Sequence, residues 1–209
     1  MPYAFRVQAG ASMDRLEKLI EERIAAGADK KMIDQRIWDL FGEQWAVMFT
    51  DLSGFSRSVA DFGIIHFLQV IFESERLLIP CIEDHDGVLL KLEGDSMLVM
   101  FRSVKKAIDS ALAMQRKLSE YNTSRPDTEK ILLCLGIGYG PVLRIGDEDV
   151  FGAEVNAASK LGEDTAGPWE ILVTENVRRE MLEKSDLRFT PIDAAPPGAK
   201  GAYRLEYDL

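Results

Sequence analysis

The sequence predicts an α/β fold of the α+β kind, with a mostly antiparallel sheet covered by helices. Three observations point to it. Short apolar runs with strand character recur at residues 46–49, 87–101, 131–138 and 170–174, separated by longer stretches with helical apolar spacing. In the core these segments alternate in the order β-α-β-β-α-β, which is the ferredoxin-like arrangement with strands added after it. The chain has 209 residues, 46% of them hydrophobic, enough for one filled core and a short appendage but too few for two full-sized domains.

Residues 1–44 read as a helical appendage, ahead of a domain over 45–209. In its first helix, over 13–26, Leu16, Leu19, Ile20 and Ile24 share one face, and Gly27 ends it. A second, over 30–40, is capped by Asp29 and carries Met32, Ile33, Ile37, Trp38 and Phe41 on its apolar side. Neither stands alone at this length, so the pair either packs on its own domain or serves as a dimerisation or regulatory element.

Ala46-Val47-Met48-Phe49 reads as a buried strand that delivers Asp51 to the mouth of a loop, where Ser53-Gly54-Phe55 turns towards the next helix. That helix spans 58–83, and Pro80 is expected to bend or end it. Residues 87–101 fold as a hairpin around Gly94-Asp95, with Lys91 on its incoming strand. A helix over 104–121 follows. Residues 131–138 form a strand and 142–145 a second one beyond Gly140-Pro141. Gly146 to Asp149 make an acidic turn, Phe151-Gly152 opens a helix to about residue 161, and a strand at 170–174 leads into a helix over 175–182. Two edge-like strands, 189–192 and 202–207, flank a loop that carries Lys200.

Charge and composition remove several classes of function. A net charge of −10 argues against nucleic-acid binding, which is built on clustered Lys and Arg. Cys81 and Cys134 lie far apart in apolar runs, as reduced thiols do in a cytoplasmic protein. The sequence shows no signal peptide, and no run reaches the roughly 18 apolar residues of a membrane span. His66 and His85 have no partner in sequence and read as packing or surface residues.

The chemistry concentrates in acidic turns. A carboxylate beside a helix N-terminus suits a metal-bound phosphate, because Asp51 can hold the cation while free N–H groups face the anionic oxygens. If the hairpin joins the same sheet, Asp95 converges with Asp51 on one cation. Two carboxylates plus substrate phosphates is the usual way a protein holds Mg²⁺. Taken singly, Asp51 is also an ordinary helix N-cap and Gly94-Asp95 an ordinary hairpin turn.

Three segments in order resemble the class III nucleotidyl cyclase catalytic domain: Asp51 in FTDLSGF, the Lys91-Leu-Glu-Gly-Asp95 hairpin, and Asp149 to Lys160 with Asn156 between them. The resemblance extends over roughly 45–207. It implies a cyclase-type fold and cyclisation of a nucleoside triphosphate to a 3′,5′-cyclic monophosphate and pyrophosphate, in a head-to-tail homodimer with sites shared between subunits. It further implies that Asp51, Asp95 and the Leu52 carbonyl bind two Mg²⁺ or Mn²⁺ ions per site. The Lys91 and Asp149 pair would read adenine, Asn156 would position the ribose, and Lys200 would touch the terminal phosphates. Ser53, Gly54 and Phe55 would meet the phosphates from the loop. At Lys160 the family usually has Arg, where it stabilises charge on the α-phosphate. Lysine keeps the charge but loses the planar fork, which implies turnover slower by roughly ten- to a hundredfold. An active adenylyl cyclase is therefore expected. A catalytically silent nucleotide-binding or signalling domain is the alternative that Lys160 favours, and a cyclase using GTP or a pyrimidine triphosphate is another.

Overall fold

A computed structural model describes residues 11–53, 63–182, 186–193 and 195–209. Helices α1 (Ala11–Ile24) and α2 (Lys30–Phe41) form an antiparallel hairpin, with the Asp29 side chain accepting from the Met32 N–H at 3.1 Å as the expected cap. Leu19, Ile33, Ile37 and Phe41 are buried together with Ile145 of the sheet, so the helical pair packs on its own domain. The ion pairs Arg23–Asp34 and Arg36–Glu22, each at 2.5 Å, join the two helices. They are solvent-screened and add little to the apolar contact.

The domain continues with β1 (Gly42–Leu52), α3 (Ile64–Glu83), β2 (Val88–Glu93), β3 (Ser96–Phe101), α4 (Val104–Asn122), β4 (Leu133–Ile145) and β5 (Asp149–Phe151). After these come α5 (Ala153–Ser159), a π-helical turn (Lys160–Thr165), β6 (Ile171–Thr174), α6 (Glu175–Met181), β7 (Arg188–Ile192) and β8 (Ala202–Glu206). Eight strands form one sheet in the order β2-β3-β1-β4-β6-β8-β7, with β5 on the far end of β4. Every pairing is antiparallel except β4 with β6. The first four strands read β4-β1-β3-β2 across the sheet, the predicted ferredoxin-like core.

One face of the sheet packs against α3, α4 and α6 through the largest core cluster, in which Leu78, Phe101, Ile108, Met114, Leu118, Leu135 and Val177 are fully buried. Burying an aliphatic or aromatic side chain of this size contributes about 1.5–3 kcal/mol. The other face carries α5 and the π-helical turn. Among the described residues no helix is long and apolar enough to cross a membrane.

Several local expectations change. Helix α3 is described only from Ile64, so the expected start at residue 58 lies outside the described residues. Pro80 does not end it, because its last turn closes through Asp84 N–H to Pro80 O at 2.9 Å and Leu78 and Ile82 anchor it in the core. Residues 131–145 do not divide at Gly140-Pro141; β4 is one strand of 13 residues. The Tyr139 N–H points away from β1, to Glu154 Oε2 at 3.0 Å. Pro141, two residues on, has the same sense, so its missing N–H lies on the side where β6 has ended and β5 has not begun. The helix expected to run to residue 161 changes to π geometry at Lys160.

Glycines at period two in β4 explain how closely α5 lies on the sheet. A Cβ on Gly138 would stand 2.3 Å from the Glu154 carbonyl oxygen, and one on Gly136 would stand 2.1 Å from that of Ala158. Both contacts are with backbone, which cannot yield without moving the helix. Gly138→Ala is expected to cost about 2–3 kcal/mol, read as a lower urea midpoint at unchanged m-value.

Candidate active site

Antiparallel pairing of β1 with β3 places Thr50 opposite Met97, and the Thr50 hydroxyl accepts from the Met97 N–H at 3.1 Å. This register brings Asp51, one residue further along β1, to the β2–β3 turn that holds Asp95. Gly94 supplies the positive φ of +62° that this two-residue turn requires. The two carboxyl groups approach within hydrogen-bonding reach of each other, and the Leu52 N–H donates to both. Burial, the Asp95 charge and the Glu163 charge push Asp51 up to about 6, against donation from Leu52 and the Ser96 hydroxyl. Burial also raises Asp95, with Glu163 adding to it.

Two neighbouring half-buried carboxyl groups, each pushed up first by burial, are a donor set that a divalent cation relieves. Among the described residues no three His, Cys, Asp or Glu side chains converge as a ligand cluster. The remaining ligands of Mg²⁺ or Mn²⁺ would therefore be backbone and substrate oxygens. The donor chemistry fits that group.

Beside the two aspartates opens a cavity of about 200 Å³ with Phe49, Leu98, Val150 and Val155 as apolar walls. Lys91 Nζ and Asp149 Oδ2 meet there at 2.9 Å. A β-bulge between Leu89 and Lys91 shifts the register of β2 on β3 and turns Lys91 towards this cavity. Three-residue β5, paired to residues 143–145 of β4, holds Asp149, whose Oδ1 accepts from the Val150 N–H at 2.8 Å. Lys91 and Asp149, 58 residues apart, are thus brought together as an ion pair against the apolar wall of the cavity.

Asn156 and Lys160 stand elsewhere. Both are exposed, Asn156 on α5 and Lys160 at the start of the π-helical turn, and the Lys160 N–H bonds back to the Asn156 carbonyl, so the two keep the expected one-turn stacking. Lys160 Nζ is engaged by Asp164 at 2.5 Å in the π-helical turn. The Ser53 N–H, expected to face phosphate, donates instead to Leu132 O at 2.8 Å and prolongs the β1–β4 ladder. Gly54 and Phe55 lie outside the described residues. Lys200 is exposed, on a loop whose Gly198 sits against Ala153 at the start of α5. His66 and His85 contact backbone carbonyls, Thr128 O at 2.9 Å and Cys81 O at 2.7 Å, as packing residues do. Both cysteines are free thiols.

Sequence reasoning missed Glu93, Ser96 and Glu163, which line the same cavity. It also missed Glu154, buried under α5, where its carboxylate accepts from Tyr139 N–H at 3.0 Å and from Thr174 Oγ1 and Asn176 Nδ2 at 2.6 Å each. These bonds fix α5, and with it Asn156 and Lys160, to β4 and β6. The alternation Gly136, Gly138, Gly140 was the available signal for a helix lying on that strand.

Comparison with known proteins converges on one family. The family model "Adenylate and Guanylate cyclase catalytic domain" matches residues 42–203. The Rhizobium meliloti (strain 1021) protein named "Putative adenylate cyclase 3" is 29% identical over 145 residues, covering 69% of this chain and 24% of that protein. The chain spans no more than about a quarter of the length of the named relatives it matches. The crystal structure of an adenylate/guanylate cyclase/hydrolase from Silicibacter pomeroyi is similar in fold, with a TM-score of 0.70 and 24% identity over 80% of this chain and 98% of that one. So is the guanylate cyclase domain of RhGC from Catenaria anguillulae in complex with GTP, at a TM-score of 0.65 and 18% identity, covering 80% and 98%.

Proposed function

Because this chain belongs to the adenylate and guanylate cyclase catalytic domain family, we propose that it converts ATP to 3′,5′-cyclic AMP and pyrophosphate, at sites shared across a homodimer. The observation that carries the adenine assignment is the Lys91–Asp149 pair at 2.9 Å in a cavity walled on its apolar side by Phe49, Leu98, Val150 and Val155. Adenine offers an amino donor and an adjacent ring acceptor, which match a carboxylate and an ammonium side by side. Guanine presents a carbonyl and an N–H at the same edge and meets both groups with the wrong sense.

In the reaction the ribose 3′-hydroxyl loses its proton and attacks the α-phosphorus in line, forming the new P–O bond as the bond to pyrophosphate breaks. Asp51 and Asp95, with the Leu52 carbonyl, would hold a divalent cation, whose positive charge would acidify the hydroxyl and neutralise phosphate oxygens. Lys91 and Asp149 hold the base, and Phe49 and Leu98 exclude water around it. Asn156 orients the ribose. Lys160 leaves Asp164 for the α-phosphate, where it offsets charge that grows in the transition state. Lys200 meets the terminal phosphates. We assign residues 1–44 as a helical appendage on the catalytic domain 45–209.

Asn156 and Lys160 are exposed, as residues that meet a second chain would be, and in the shared arrangement Asp51 and Asp95 of one chain face Lys91, Asp149, Asn156 and Lys160 of the other. Mixing an Asp51→Ala chain with an Asn156→Ala chain is then expected to restore one working site per heterodimer. Equally inactive mixtures of folded, dimeric variants would refute shared sites. The activity itself is tested by offering the purified protein ATP and GTP together with Mn²⁺ and resolving the products chromatographically. Cyclic AMP is expected to dominate; cyclic GMP in excess would overturn the adenine assignment, and no cyclic product at high enzyme concentration would leave the silent-domain reading.

A further inference from the structure

We propose that Glu163 serves the cation site as a third carboxylate, acting through its charge to raise the affinity with which Asp51 and Asp95 retain a divalent ion. The inference rests on the reading of those two aspartates as cation ligands. It starts from the backbone. At the centre of the π-helical turn, Gly162 lies directly on two strands, where a Cβ would come 2.8 Å from Phe49 O and 3.0 Å from Gly136 N. Phe49 is two residues before Asp51 on β1. The residue after Gly162 is therefore delivered to the Asp51 end of that strand.

Glu163 lines the same cavity as Phe49, Lys91 and Asp149. The Ser159 hydroxyl donates to its carboxylate and fixes it against the preceding turn. Its neighbour Asp164 turns the other way, to Lys160, so only one of these two consecutive acids serves the cavity. The electrostatic influence of Glu163 reaches both Asp51 and Asp95. Because no three acidic side chains among the described residues converge as a ligand cluster, Glu163 contributes field and not a coordinating bond. Glu163 is exposed at the edge of the cavity, well within a Debye length of the aspartate pair, so its field is felt at the cation although solvent weakens it.

The test is a Mn²⁺ titration of the whole chain without nucleotide, followed by electron paramagnetic resonance of the free ion. Glu163→Gln is expected to weaken Mn²⁺ binding about three- to tenfold. Glu163→Asp, which keeps the charge, is expected to retain most of the affinity. Asp127→Asn, a loss of one exposed carboxylate on a separate loop, is expected to change nothing. Equal Mn²⁺ affinity in wild type and Glu163→Gln overturns this proposal while leaving the aspartate pair intact. Mn²⁺ binding that is unaffected by Asp51→Asn overturns the aspartate pair as a cation site and the role of Glu163 with it.

Discussion

Asp51→Asn is expected to lower cyclic nucleotide formation by at least about a thousandfold without lowering the urea midpoint of unfolding. The two halves of this expectation have the same cause. Burial and the neighbouring Asp95 and Glu163 charges push the Asp51 carboxyl up to about 6, so at neutral pH its ionised form is held against an unfavourable field. Asparagine removes the repulsion and keeps the shape, which leaves the fold at least as stable. It also removes half of the carboxylate pair that would hold the cation, and with it the charge that offsets the phosphate oxygens. Asp95→Asn is expected to behave alike, since burial raises its carboxyl at the same junction of β1 with the β2–β3 turn. A steady-state assay with MnATP beside a urea titration checks both halves, and an inactive variant that also unfolds early would mean the aspartate is structural.

Lys160→Arg is expected to raise kcat roughly ten- to a hundredfold, with a smaller change in KM. Lys160 is exposed and satisfied by Asp164 at 2.5 Å, so no cavity has to be remodelled to admit the larger guanidinium. An ion pair in open solvent is weak, and either side chain can leave it for a phosphate. What arginine adds is a planar fork that grips two oxygens at once, an interaction gained as charge moves onto the α-phosphate. Single-turnover rates for wild type, Lys160→Arg and Lys160→Ala should therefore order as Arg, then Lys, then Ala. An arginine variant no faster than wild type would show that Lys160 does not touch the reacting phosphate.

Those parts of the site that end strands were legible in the sequence. Asp51 follows an apolar run, Asp95 sits in a two-residue turn, and both positions are fixed by patterns that a period of two makes readable. Their convergence required only that the hairpin join the β1 strand, which the Thr50–Met97 register accomplishes. The orientation of Lys91 was not legible, because a β-bulge is an irregularity of pairing with no residue type of its own. Nor was the unbroken course of β4, since proline in a strand signals a break unless its missing N–H faces an unpaired side, as it does at Pro141. Glu154 and Glu163 carry no signal of their own in the sequence. One is buried by three donors and the other, still exposed, is brought to the edge of the cavity by a π-helical turn seated on Phe49, and both outcomes depend on tertiary contacts that the local sequence does not encode.

The helical pair ahead of the domain shows the same division. Its periodicity and the Asp29 cap were plain, whereas the choice between packing and dimerisation was not. Leu19, Ile33 and Ile37 close against Ile145, while Ile24, Met32, Trp38 and Leu40 stay exposed.

The central claim is that Asp51 and Asp95 share one divalent ion beneath a triphosphate. Crystals grown with Mn²⁺ and a non-cyclisable ATP analogue, measured for manganese anomalous scattering, test it most directly. The account predicts an anomalous peak bonded to a carboxylate oxygen of each aspartate and to a phosphate oxygen of the analogue. A peak bound to the nucleotide alone, with the two carboxylates turned away from it, would contradict it.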